Sequence, residues 1–305
     1  MKRTILSGGL ASAAAIVVAS SVAGAPQGAA GGSAPVAACA DCHADQAKAF
    51  GANPHGRAWF LLTKDGSPNG VCESCHGSGK KHMEAGGDKT LINTMKGAKA
   101  VDTCVACHEK KTNEFRSFRD GVHANQPMVN CGTCHSVHGS NWKNRKLLAA
   151  KELETCTGCH QTQAGLVKDK PFTHRVGRGG GFECSSCHDP HGRGPSALKL
   201  TKEGELPCLS CHSEKRGPFA FEHVGPTTGS CITCHEPHGS NNPKMLKRAT
   251  VLQVCIECHS NVGGSQKTLG TQVPGQHSIY LPRYQNCTTC HTAVHGSNRS
   301  PSYLK

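Results

Sequence analysis

The sequence predicts a mostly irregular chain of short α-helices with almost no strand, built as successive modules around an interior that its own side chains do not supply. Three observations predict this. Only 36% of the 305 residues are hydrophobic and 4% aromatic; the roughly 45–50% apolar share of ordinary globular domains, glycine included, is reached here only by counting the 36 glycines, which bring no side chain to a core. The chain carries twenty cysteines and twenty histidines beside 36 glycines and 16 prolines. The cysteines also recur in one five-residue pattern, at a spacing that marks repeats stacked along one direction.

The first element is an export signal over 1–23. Lys2 and Arg3 supply its positive end, and 10–25 supply an apolar run with a small-residue cleavage zone. Small residues at Ser21 and Ala23 suit cleavage after Ala23; cleavage after Ala25 would leave Pro26 at the new N-terminus. The run falls short of the roughly 18–20 residues a membrane span needs. Residues 24–38, rich in alanine, glycine and proline, read as a flexible leader. The stretch Val36–Cys39 imitates a lipoprotein box, but it lies too far beyond the apolar run, and Cys39 belongs to the repeat.

The repeat occupies 39–305. Cys-x-x-Cys-His occurs ten times: Cys39, Cys42 and His43; Cys72, Cys75 and His76; Cys104, Cys107 and His108; Cys131, Cys134 and His135; Cys156, Cys159 and His160. It continues with Cys184, Cys187 and His188; Cys208, Cys211 and His212; Cys231, Cys234 and His235; Cys255, Cys258 and His259; Cys287, Cys290 and His291. No cysteine is left over. This is the spacing of covalent c-type haem attachment: two thiols add across the two vinyl groups of one porphyrin, and the adjacent histidine becomes the proximal iron ligand. Zinc would use two such pairs for one site and leave the histidines unexplained. Disulfides within Cys-x-x-Cys would close tiny loops and add little stability, and redox dithiols occur singly in a thioredoxin-like unit. The expected cofactor is therefore ten haem c, and the fold class a multihaem cytochrome c, an elongated chain of two-haem modules.

The motifs pair into five modules starting near 39, 104, 156, 208 and 255. Each of the last four runs as first motif, lone histidine, second motif, then His-Gly. Ten histidines remain beyond the proximal ones: His55, His82, His123, His138, His174, His191, His223, His238, His277 and His295. Their number equals the iron number, so each iron is expected to take a second, distal imidazole. His138, His191, His238 and His295 sit too close in sequence to their own motif to reach its far face, so each is expected to serve a different haem, the partner within its module. Met83, Met95, Met128 and Met245 have no repeated placement and read as gap fillers. Paired imidazoles keep haem potential low, where methionine would raise it, and they leave no open iron for a substrate. No Cys-x-x-Cys-Lys occurs. The chain reads as an electron carrier with no catalytic residue.

The formal charge of +13 falls by two with Lys2 and Arg3, and twenty propionates against ten ferric porphyrin cores bring the oxidised total to about +1. The basic residues are mainly cofactor counter-charges, and nucleic acid is not an expected partner. Helices are expected at 88–107 and 145–156, with irregular chain at Gly177–Gly181.

The stretches 208–249 and 287–305 resemble the periplasmic decahaem c-type cytochromes of the Mtr/DmsE/PioA type, and the motif count and order extend the likeness over 39–305. The resemblance implies a haem chain threaded into an outer-membrane β-barrel porin. A periplasmic or inner-membrane cytochrome would be the donor, and an extracellular multihaem cytochrome or mineral would lie at the other end. The leader before Cys39 is shorter than that family suggests. A soluble periplasmic shuttle feeding a terminal reductase is the alternative, which a neighbouring porin gene would disfavour. A multihaem reductase is a third reading and would need one open iron.

Overall fold

The computed structural model describes residues 36–62, 70–109, 118–139, 146–177, 179, 181–192, 197–223, 231–259 and 279–304. The export signal, most of the leader and His277 lie outside them.

Each attachment motif folds as a single helical turn. The histidine N–H donates to the carbonyl of the first cysteine, as in His43 to Cys39 (2.9 Å), His188 to Cys184 (3.0 Å) and His291 to Cys287 (2.9 Å). Residues three and four apart share a helix face, so this turn sets both thiols on one side with the imidazole beside them. The five-residue spacing is thus a local structural instruction as well as a chemical one.

Longer helices are few: Ala44–Ala52, Pro54–Leu62, Gly97–His108 and Gln161–Asp169. The expected helix at 88–107 begins only at Gly97. Before it, Asp88 accepts the Thr90 N–H to cap a 3₁₀ turn at Lys89–Leu91, and Met95 takes φ of 57°, outside the right-handed helical region. The helix expected at 145–156 shrinks to Glu152–Thr157, because Leu147 has φ 51° and its carbonyl accepts the Ser136 N–H. In the leader, Val36–Ala40 is helical, since alanines there extend the first motif's turn.

Among the described residues there is no sheet, only five isolated bridges. Three are local: His135–Leu148, His188–Leu198 and His235–Leu246 return the chain onto the second motif of a module. Two are long-range: Phe172–Ser240 and Phe221–Ser297 join the lone-histidine segment of one module to the His-Gly segment of the next. The buried apolar side chains described are Ala100, Val105, Phe118, Leu148, Ala164, Val167, Ala197 and Leu209. They are scattered along the modules, so the described residues form no single polypeptide core. No described helix is long and apolar enough to cross a membrane.

Candidate haem-binding sites

The return segments decide how the proximal imidazoles stand. His135 Nδ1–H donates to the Lys146 carbonyl (2.7 Å), His235 to Lys244 (2.8 Å) and His291 to Ser302 (2.5 Å). The residue after each acceptor, Leu147, Met245 or Tyr303, has positive φ. This is uncommon and strained for a non-glycine residue. The turn aims the preceding carbonyl at the ring and hands the chain on to a leucine. In the first module the Asn93 carbonyl receives His76 Nδ1–H at 2.7 Å. Binding Nδ1–H fixes the tautomer and leaves the Nε2 lone pair free for a metal. Sequence reasoning missed these acceptors, although the signal was present. Lys-Leu-Leu (146–148), Ser-Ala-Leu (196–198), Lys-Met-Leu (244–246) and Ser-Tyr-Leu (302–304) recur after each His-Gly.

Among the described residues, each remaining imidazole then faces one proximal imidazole. Ring centroids lie 6.3 Å apart for His43–His82, 5.7 Å for His55–His108, 5.9 Å for His76–His138 and 6.1 Å for His123–His160. The series continues at 5.9 Å for His135–His191, 6.5 Å for His174–His212 and 6.0 Å for His188–His238. It ends at 6.1 Å for His223–His259 and 6.4 Å for His235–His295. Metal–imidazole bonds near 2 Å would place two rings across one iron about 6 Å apart, so the spacing fits a haem iron between each pair. Burial, helped by the facing histidine in each case and by Lys215 beside His295, holds His55, His138, His223 and His295 below the usual histidine range. That favours the neutral form a metal requires. Among the described residues, no three metal-ligating side chains converge; the arrangement is one of opposed pairs.

The pairing corrects one expectation. His138, His191, His238 and His295 do face a histidine of another motif, but not within their own module. Each faces the second motif of the module before. The lone histidines His55, His123, His174 and His223 face the first motif of the module after. Both kinds of imidazole therefore cross a module joint, in opposite directions. His82, facing His43 inside the first module, has no preceding joint to cross.

The thiols show the order of the motifs in space. Within modules, first cysteines lie against one another: Cys39–Cys72, Cys104–Cys131, Cys156–Cys184, Cys208–Cys231 and Cys255–Cys287. Between modules, cysteines of adjoining motifs lie within electrostatic reach: Cys75 with Cys104, Cys134 with Cys156 and Cys159, Cys187 with Cys208 and Cys211, and Cys234 with Cys255 and Cys258. All nine junctions between consecutive motifs are spanned. Neighbouring thiols and burial raise Cys104, Cys156 and Cys208 well above the ordinary thiol range, whereas the Cys104 and Cys156 contacts lower Cys131 and Cys184.

A family defined by a doubled CXXCH motif matches residues 123–165, 174–217 and 223–264. Each matched stretch opens on a lone histidine and closes past the motif that this histidine faces. The multiheme cytochrome MtrA of Shewanella baltica (strain OS185) is 34% identical over 240 residues, covering 76% of this chain and 69% of the relative. The chain belongs to the MtrA-type multihaem cytochromes. It binds haem c covalently through its CXXCH motifs, and it is an electron-transfer protein rather than an enzyme. The cytochrome c-type protein NrfB of Escherichia coli O6:H1 (strain CFT073) is 26% identical over 132 residues, covering 42% of this chain and 67% of that relative.

Proposed function

We propose that this chain is a periplasmic decahaem cytochrome that carries electrons across the outer membrane inside a β-barrel partner. It would be exported by a signal cleaved after Ala23 and would hold ten haem c, one on each motif. The distal ligands follow the opposed rings: His82, His138, His55, His191, His123, His238, His174, His295 and His223 for the motifs of His43, His76, His108, His135, His160, His188, His212, His235 and His259. His277 is left for His291. When bound, haem would supply a reversible one-electron iron couple, and the paired histidines of the polypeptide would hold each iron and fix the order of sites. A cytochrome donor would meet one end and an exterior cytochrome or mineral the other.

The observation that carries this reading is the unbroken run of thiol neighbours over all nine junctions. Each thiol marks a porphyrin edge, so edges would meet in sequence order from Cys39 to Cys290 without a gap. Among the described residues, the hydrogen bonds that join modules link neighbours in sequence, as in Asn53–Val137, His123–Pro190, His174–Pro237 and Glu222–Tyr303. Stacks joined this way are quasi-one-dimensional. At on the order of 10 Å per haem, ten in line exceed the roughly 40–45 Å of a bilayer. Irregular backbone cannot face lipid, so a barrel must sheathe it.

Intact-mass measurement should give ten haem additions and an N-terminus near Gly24; eight or fewer would end the decahaem reading. Dithionite should reduce an acceptor outside proteoliposomes only when this chain and its barrel are both present. A compact particle by small-angle scattering, or a chain that never co-purifies with a barrel, would favour the soluble shuttle.

A further inference from the structure

The module joints share one hydrogen-bonded position. The carbonyl just before the His-Gly histidine accepts from the module behind it. His123 Nδ1–H donates to the Pro190 carbonyl (2.9 Å), His174 Nδ1–H to the Pro237 carbonyl (3.0 Å), and His223 bonds the Val294 carbonyl. At these three joints, one imidazole both faces a proximal histidine and ties down the loop carrying the next axial imidazole.

The first joint is built differently. The corresponding carbonyl is that of Val137, and its donor is not His55 but the Asn53 side-chain amide, Nδ2. Asn53 is fully buried, which is rare for an asparagine and costly unless its polar atoms are all paired. Here they are. Its Oδ1 accepts the backbone N–H of His55 at 2.8 Å and of Gly56 at 3.2 Å. That contact caps the helix Pro54–Leu62 in the manner of asparagine at a helix N-terminus. The helix start places His55 against His108, with Nε2 atoms 3.4 Å apart. His55 Nδ1 is buried and has no acceptor, as expected when the carbonyl it would have used is already taken.

We infer that Asn53 is a positioning residue for two axial histidines in two modules, holding His55 through Oδ1 and the His138 loop through Nδ2. It takes over at the first joint the donor role that His123, His174 and His223 perform at the later ones. No sequence pattern marks it, because its acceptor lies 84 residues away. The inference rests on the distal-ligand reading above.

Two variants of the full haem-loaded protein test it, read by electron paramagnetic resonance and potentiometric titration. Asn53→Ala removes both contacts and should perturb two haems, those carried by Cys104/Cys107 and by Cys72/Cys75, as new high-spin signal or shifted midpoint potentials. Asn53→Asp keeps an acceptor for the helix cap but sets an oxygen against the Val137 carbonyl, so it should perturb only the Cys72/Cys75 haem. If Asn53→Ala fails to load haem, Asn53→Asp decides alone. A lowered melting temperature with wild-type spectra and potentials in Asn53→Asp would overturn the assignment, as would equal perturbation of many haems. His138→Ala separates the positioning role from the ligand pairing on which it rests. High-spin iron in His138→Ala with wild-type Asn53→Asp leaves the ligand reading standing and removes Asn53; wild-type spectra in both variants remove the ligand reading itself.

Discussion

Replacing His238 by alanine will make one ferric haem high-spin, and that haem will be the one carried by Cys184 and Cys187. The His238 ring lies 6.0 Å from that of His188 and within 7° of parallel to it, whereas its own motif supplies His235, which faces His295. The His238 backbone N–H and Nδ1 both lie against the Glu236 carboxylate, so its orientation is fixed locally while its target lies across the joint. Removal leaves one iron with a single imidazole, a change from low-spin to high-spin that magnetic circular dichroism resolves against the other haems. A triple variant assigns that haem. In a Cys184→Ser/Cys187→Ser background the new signal should vanish, because the affected haem is gone; persistence there would place His238 on another iron. Added imidazole should restore the low-spin spectrum of the single variant.

Gly239→Ala and Gly296→Ala will destabilise the protein far more than Gly139→Ala, although all three follow a His in the same repeated dipeptide. Gly239 and Gly296 have φ of 140° and 138°, a region that costs other residues about 1–3 kcal/mol. Space is also lacking. A Cβ on Gly239 would lie 2.5 Å from the Leu166 carbonyl oxygen, and one on Gly296 would lie 2.0 Å from Phe219 Cδ2. At Gly139 the nearest atom would be the Ser136 hydroxyl at 3.0 Å, which can rotate away, and the backbone has no positive φ there. Thermal melts of the loaded proteins should show a clear drop for the first two and little change for the third. Gly239→Ala should also move His238 and bring out the same high-spin haem as the histidine variant. Equal melting temperatures for all three would mean that the late joints are looser than described.

The attachment sites were legible in the sequence because each is local. Cys39 to His43 needs only one helical turn to place two thiols and an imidazole on one face, and five residues encode that turn wherever they stand. The near absence of strand was legible too, since a chain with only 4% aromatic residues and 36 glycines offers little alternating apolar face to bury. Equality between spare histidines and motifs suggested paired imidazoles without reference to any fold.

What the sequence could not settle were the partners of those imidazoles, because opposed rings come together across joints between modules. His238 is three residues from His235 and fifty from His188, yet it faces His188. The short link rules out its own motif, but only packing chooses among the others. The same holds for the helix ends. Leu147, Met245 and Tyr303 take positive φ because a carbonyl must reach a particular ring, and that tertiary demand overrides helix propensity at 146–151. Asn53 is the extreme case: an unremarkable residue before a proline becomes fully buried because its amide meets the Val137 carbonyl. Sequence by itself determined the chemistry of each site, which depends on neighbours along the chain. Tertiary structure alone decided how the sites are joined, because the bonds at each joint link residues from successive modules.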